Sequence, residues 1–201
     1  MNYLPRLLLI GALSASALIA RPALADAQRY EIDPEHVTVA FLVDHIGYAR
    51  TLGQFRQVTG GFAFDETAAK IADLRVVMDT ASVDTGHAAR DGHLRGKDFL
   101  DVARFPRMTF TATSIQRRDA GKFTLTGELE LLGRRRPVTL EATLNKSERY
   151  PIGPPLMKPW VIGVSARGRL KRSEFGMTYG VANGLVGDDV ELIIELEARR
   201  K

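Results

Sequence analysis

The stretch FTLTGELELLGRRRPVTLEATL, Phe123 to Leu144, alternates apolar and polar residues on both sides of a short polar break. Phe123, Leu125, Gly127, Leu129 and Leu131 share one parity, and Thr124, Thr126, Glu128 and Glu130 the other. After the break, Val138, Leu140, Ala142 and Leu144 alternate with Thr139, Glu141 and Thr143. A period of two is that of a β-strand, whose successive side chains point to opposite faces. Clean apolar-in, polar-out alternation belongs to antiparallel sheets with one face in water. The break from Gly133 to Pro137 is short enough for a hairpin, with Arg134, Arg135 and Arg136 in the turn. Pro137 then opens the second strand, where its missing N–H is tolerated.

The same period extends outward. Val37, Val39, Phe41 and Val43 alternate with Thr38, Ala40, Leu42 and Asp44, and Val190, Leu192, Ile194 and Leu196 with Glu191, Glu195 and Glu197. Further runs at 54–64, 71–78, 109–115 and 160–170 bring the expectation to about eight strands. Turn signals separate them: Gly60-Gly61, Asp119-Ala120-Gly121, Gly133, the proline-rich 151–155 and Gly187-Asp188-Asp189. Neither a repeat nor a second composition regime interrupts the chain, so one domain is expected. The exception to the strand pattern is RDGHLRGKDFLD, Arg90 to Asp101. With the preceding Ala88-Ala89 it reads as a short helix weakened by Gly92 and Gly96, with Leu94, Phe99 and Leu100 as its apolar edge. Many strands and one helical interruption give an all-β, antiparallel fold, a closed barrel or a sandwich. Closure has the advantage of removing exposed edges. Ala112, Gly127, Ala142, Gly163 and Ser165 are small residues on the apolar faces and would leave a barrel hollow. Small residues also mark bends and crossings, so from pattern alone a hollow and a filled interior stay equally open.

The chain opens with Arg6, an apolar run from Leu7 to Ala20, and Ala23-Leu24-Ala25. This is the layout of a secretory signal peptide cleaved after Ala25, leaving 26–201 as the mature domain. The run is too short for a membrane span, which needs roughly 20 apolar residues. There is no cysteine, which excludes disulfides, thiolate metal sites and cysteine nucleophiles. The protein must be held together by its core, and a periplasmic location is expected. The net charge is +4, with acids and bases mixed along the chain. A nucleic-acid surface would show a basic stripe, and no nucleic-acid partner is expected.

Catalytic machinery is scarce. The four histidines are His36, His45, His87 and His93, and no H-E-x-x-H or H-x-H pairs them for a metal. Neither G-x-S-x-G nor G-x-G-x-x-G occurs, so neither a serine-hydrolase elbow nor a nucleotide cofactor is expected. His45 shares the parity of Val39, Phe41 and Val43 and is expected to point inward. It reads either as a buried, hydrogen-bonded imidazole or as a donor to the polar end of something bound. A dyad of His45 with Asp91 has no third member. An apolar interior with few polar groups is the profile of a small-molecule binding barrel.

Four segments resemble the YceI-like family in order and spacing. YEIDPEHVTVAFLVDHIGYARTLGQF (30–55) carries Tyr30-x-Ile32-Asp33, His36, Phe41, His45 and Gly47, and RDGHLRGKDFLDVARFPRMTF (90–110) resembles the central signature. FGMTYG (175–180) and VGDDVELIIELEA (186–198) resemble the closing strands. Departures are Val37 where relatives often have Ser, Leu-Gly-Arg-Arg-Arg-Pro in the hairpin, and the proline-rich 150–158. The resemblance implies an extended, eight-stranded, lipocalin-like barrel holding a long polyisoprenoid or similar, quinone-like amphiphile along its axis. It implies that Val39, Phe41, Val43, Phe110 and Phe123 line the tunnel and that His45 and His93 approach the head group. Arg90, Asp91, Leu94 and Phe99 would belong to a cap over the mouth, with Leu94, Phe99 and Leu100 turned toward the ligand. Asp91, His93 and Arg95 would be knit into the rim by hydrogen bonds, although Asp91 and Arg95, four apart, could equally form a simple helix ion pair. A hydrolase or isomerase using His45 and Asp91, and a structural barrel with a filled core, are the competing readings. No cofactor is expected beyond the lipid, and pairing of two copies through an exposed strand face stays open.

Overall fold

The computed structural model describes residues 27–154, 156 and 158–201. The expected leader at 1–25 lies outside the described residues. Ten strands follow in order: β1 (Gln28–His45), β2 (Ala49–Phe55), β3 (Val58–Asp65), β4 (Lys70–Asp79), β5 (Val83–Asp84), β6 (Arg107–Asp119), β7 (Lys122–Leu131), β8 (Arg134–Arg149), β9 (Trp160–Lys171) and β10 (Val186–Arg200). Among the described residues one α-helix, α1 (Ala88–Arg95), stands between β5 and β6.

The sheet runs β10-β9-β8-β7-β6-β4-β3-β1, and β10 pairs with β1 to close it into an eight-stranded antiparallel barrel. The two remaining strands continue their neighbours. β1 pairs with β3 through Gln28–Glu31 and with β2 through Val39–His45. Residues 49–65, expected as a strand from 54, therefore form one path along β1, broken at Arg56-Gln57. β5 likewise continues β4 and pairs with Gln54 and Phe55.

The central hairpin is tighter than the sequence reading. Leu132 and Gly133 both have positive φ, 51° and 70°, the requirement of a two-residue type I′ turn. β8 therefore starts at Arg134, and the three arginines are strand residues, with Arg135 Nε donating to Glu130 at 3.0 Å across the pair. Pro137 lies inside β8, where pairing with β9 has yet to begin at Leu140, so one edge is free and its missing N–H is harmless. Gly60-Gly61 is also not a turn. It lies within β3, where a Cβ on Gly60 would collide with the Arg75 carbonyl and the register slips between Gly61 and Ala63, as at a bulge. Gly187-Asp188-Asp189, likewise expected as a turn, belongs to β10.

The inward faces of all strands share one apolar core. Two of its glycines are seats for rings: a Cβ on Gly53 would overlap Phe41, and one on Gly127 would overlap Phe110. The smallness of Gly127 is thus filled by an aromatic neighbour rather than left as space. Gly163 and Ser165, expected on the apolar face, have the opposite parity to buried Ile162 and Ala166. Ser165 is hydrogen-bonded to Glu195 and Asn145 on the outer wall.

The closing seam is reinforced at Asp33, a buried carboxylate that accepts from the Glu35 N–H at 3.1 Å, His36 Nδ1 at 2.9 Å and Arg199 at 2.6 Å. Burial pushes the Asp33 carboxyl up, but the bonds from His36, Glu35 and Arg199 outweigh it and hold it below the usual range. The bond to Asp33 raises His36. A raised histidine stabilises fully below its unfolded value, about pH 6.5, and loses that contribution as pH rises through the folded one. A depressed aspartate stabilises fully above about pH 4 and loses it on further acidification. The charged pair is therefore complete between those limits. Thermal melts of His36→Ala against wild type should show a larger deficit at about pH 5.5 than at about pH 8.5. Equal deficits would contradict it.

Candidate functional site

The barrel is hollow. A cavity of about 520 Å³ follows its axis, within the ~300–1,000 Å³ typical of small-molecule sites. Val39, Phe41, Leu192 and Ile194 line it and point inward, yet each remains only half-buried, because its free surface faces the void. One row of directly paired wall residues crosses six strands: Phe55, Val39, Ile194, Ala166, Ala142 and Phe123. Its two adjacent alanines, on β8 and β9, leave room that longer side chains would fill.

Polarity is confined to one end. Asp44, His45, Thr51, Arg90, His93, Arg172 and Tyr179 line the cavity where β1 and β9 end and β10 begins, and the remaining lining is almost wholly apolar. Exposed Ile46 and Leu185 line that end too, so the cavity opens to solvent there. At the opposite end Phe64 and Phe123 meet edge to face at 6.2 Å. The Arg117 guanidinium lies 5.3 Å from the centre of the Phe123 ring and is tied to the Glu66 carbonyl.

The polar segment after β5 is the cap over the open end. The His87 side chain caps α1 by accepting from the Arg90 N–H, and Gly96 ends the helix with its N–H on the His93 carbonyl. Its charges pin it to the barrel. Arg95 donates to the Ala81 and Val83 carbonyls at 2.7 and 2.8 Å rather than pairing with Asp91. Arg90 grips the Thr85 hydroxyl and carbonyl at 2.7 and 2.9 Å. Leu94, Phe99 and Leu100 turn their apolar edge into the cavity.

Val39, Phe41, Val43, His45, Arg90, His93, Leu94, Phe99, Phe110 and Phe123 all line the cavity. Asp91 does not. It is buried, and its Oδ1 accepts from the Thr85 N–H and hydroxyl at 2.9 and 2.5 Å, so it fastens the cap instead of facing a ligand. The alternative His45–Asp91 dyad is accordingly not assembled. His45 stands exposed at the rim, and no hydrogen bond holds its ring among the described residues. His93 Nε2 lies 2.9 Å from Asp98. The His93 ring also packs against Phe99 and Tyr179 at 4.9 and 5.1 Å, joining the cap to the loop before β10.

Asp44, Thr51, Tyr179 and Arg172 line the polar end without having been candidates from sequence, and Arg172 is the most buried of them. It is 2% exposed, and no carboxylate contacts it among the described residues. Its guanidinium donates to the Gly187, Met177, Tyr179 and Val186 carbonyls at 2.7 to 3.0 Å. Burial pulls it below the usual arginine value, and the nearby Asp188 carboxylate opposes that shift. The signal was present: Arg172 continues the parity of Ile162, Val164, Ala166 and Leu170, one step beyond the apparent strand end. A charge on the apolar parity marks a place where the interior turns polar. Among the described residues, one cluster could hold a metal, Asp33 with Glu35 and His36. It lies outside the cavity lining, and Asp33 is already shared by His36 and Arg199.

The YceI-like domain profile matches residues 30–198. The chain belongs to the YceI-like family. The UPF0312 protein YE1254 of Yersinia enterocolitica is 38% identical over 190 residues, covering 94% of this chain and 95% of that protein. The Campylobacter jejuni YCEI protein structure superposes with a TM-score of 0.69 at 31% identity, covering 79% of this chain and 90% of that one. Burkholderia cenocepacia BcnA shares the fold, with a TM-score of 0.73 at 22% identity over 83% of this chain and 98% of that one. So does a polyisoprenoid binding domain from Saccharophagus degradans, with a TM-score of 0.62 at 16% identity over 86% and 98%. In this YceI-like domain, then, the segments that carried the family resemblance supply the closing pair β1 and β10 and the cap.

Proposed function

We propose that this YceI-like domain is a non-enzymatic carrier that sheathes the tail of a long-chain isoprenoid or similar amphiphile, and that it acts in the periplasm after export. The observation that carries this reading is the bore itself, apolar along its length and polar only at its open end. An amphiphile has the same asymmetry. Burial of hydrocarbon contributes about 0.8 kcal/mol per CH₂, so a five-carbon isoprene unit gains roughly 4 kcal/mol before ordering costs reduce it. The head would then stay at the rim, within reach of His45, His93 and the Arg172 guanidinium. The polyisoprenoid binding named for the Saccharophagus degradans domain supports the same ligand class.

Native mass spectrometry of the protein purified from a membrane-containing lysate tests this. One amphiphile per chain is the expected adduct. A chain that carries none, and gains none on incubation with polyprenyl lipids, contradicts the proposal. Cell fractionation checks the compartment.

A further inference from the structure

Seven large apolar side chains are exposed among the described residues, and five of them stand around the open end of the bore: Ile46, Tyr48, Leu52, Tyr179 and Leu185. Tyr48 is 90% exposed and Leu52 57%. Ile46, Tyr179 and Leu185 also line the cavity, and the Ile46 N–H donates to the Leu185 carbonyl at 3.3 Å. That bond joins the β1–β2 turn to the segment before β10. On the outer wall, where the alternation calls for polar residues, Leu52 lies directly opposite Leu42. Exposed apolar side chains therefore stand in the bore's mouth, on its rim and on the outer wall beside it.

The charges beside this surface are of both signs, and several are paired or hydrogen-bonded. Arg50 pairs with Glu191 at 2.6 Å, Asp44 accepts from the Gly47 N–H at 2.9 Å, and His93 meets Asp98. No field of one sign surrounds the opening. An exposed apolar patch of this kind marks an interaction surface, and tyrosine suits a boundary between hydrocarbon and water.

We propose that this rim docks the open end of the barrel on a lipid bilayer, burying Tyr48 and Leu52 at its surface. The proposal rests on the carrier reading: a tail leaving the bore through water would expose its whole apolar area, whereas a docked rim lets it pass directly between bilayer and barrel. Because acids and bases are mixed around the rim, docking is driven by apolar burial and does not require anionic lipid.

Flotation of the purified protein with zwitterionic phosphatidylcholine vesicles tests this. Wild type should float with them about equally at roughly 0.05 and 0.5 M salt, since apolar contact is not screened. Tyr48→Ser with Leu52→Ser should lower the vesicle-bound fraction about tenfold or more. Both side chains are exposed, so the fold is preserved, and lipid occupancy by native mass spectrometry should match wild type. Ile152→Ser, at an exposed apolar position outside the rim, should change neither. The proposal is overturned if the double variant floats like wild type, or if Ile152→Ser loses as much. It is equally overturned if flotation requires anionic lipid, or if the rim proves to hold a second copy in a dimer that the double variant dissolves. Occupancy and flotation are separate readouts: absence of lipid from wild type sinks the carrier reading, and loss of flotation alone concerns the rim.

Discussion

Ala142→Trp is expected to empty the bore while leaving the barrel folded. Ala142 points into the cavity from β8, next to Ala166 on β9 and Phe123 on β7. An indole at that point occupies length that the ligand tail would otherwise fill. Displacing about five carbons at ~0.8 kcal/mol each forfeits roughly 4 kcal/mol, close to a thousandfold in affinity. Co-purified lipid should fall to the detection limit by mass spectrometry, with a melting temperature at or above that of the wild-type protein stripped of lipid. A filled interior predicts the opposite. Overpacking would cost about 1–3 kcal/mol of stability. A destabilised variant that still carries its full complement of lipid would therefore sink the hollow-bore account.

Arg172→Met should be the most destabilising single change near the site. The guanidinium satisfies four backbone carbonyls from the loop before β10 and the start of β10 itself. A thioether replaces none of those donors. Uncompensated buried carbonyls cost about 1–3 kcal/mol each, so stranding several of them costs roughly 3–5 kcal/mol once water and relaxation recover part. Urea unfolding should show a midpoint lowered by roughly 2 M, given slopes of about 1–3 kcal/mol/M for small domains. Arg172→Lys should recover only part, because an ammonium has three donors and no planar fork. A Met variant as stable as wild type would show that the loop is held by other means.

Much of this architecture is legible in the chain because β structure writes itself in parity. The alternation of Phe123–Leu131 and of Val138–Leu144 named the inward faces correctly, since the pleat leaves no other choice. The cap was readable for a related reason: charges dense enough to interrupt that parity must leave the wall, and Arg90 and Arg95 left it to bond Thr85, Ala81 and Val83. Where the reading slipped, the missing information was pairing. Gly60-Gly61 has turn composition, but its place is set by the Arg75 carbonyl on the next strand. Asp91 is knit into the rim by hydrogen bonds as expected, but its Thr85 partner keeps it out of the cavity lining. Arg172 was overlooked because its four partners come from residues 5 to 15 positions further along the chain.

The sequence alone determined the strand class, the family and the identity of most inward-facing residues, because those follow from local periodicity and ordered motifs. It could not determine whether the interior was empty. That depends on closure of β10 onto β1 and on where large rings come to rest. Phe41 and Phe110 settle over Gly53 and Gly127, so their bulk lies against the wall and the axis is left free. Side-chain volume is a property of each residue, whereas the space between walls belongs to all eight strands at once, and only the tertiary structure decided it.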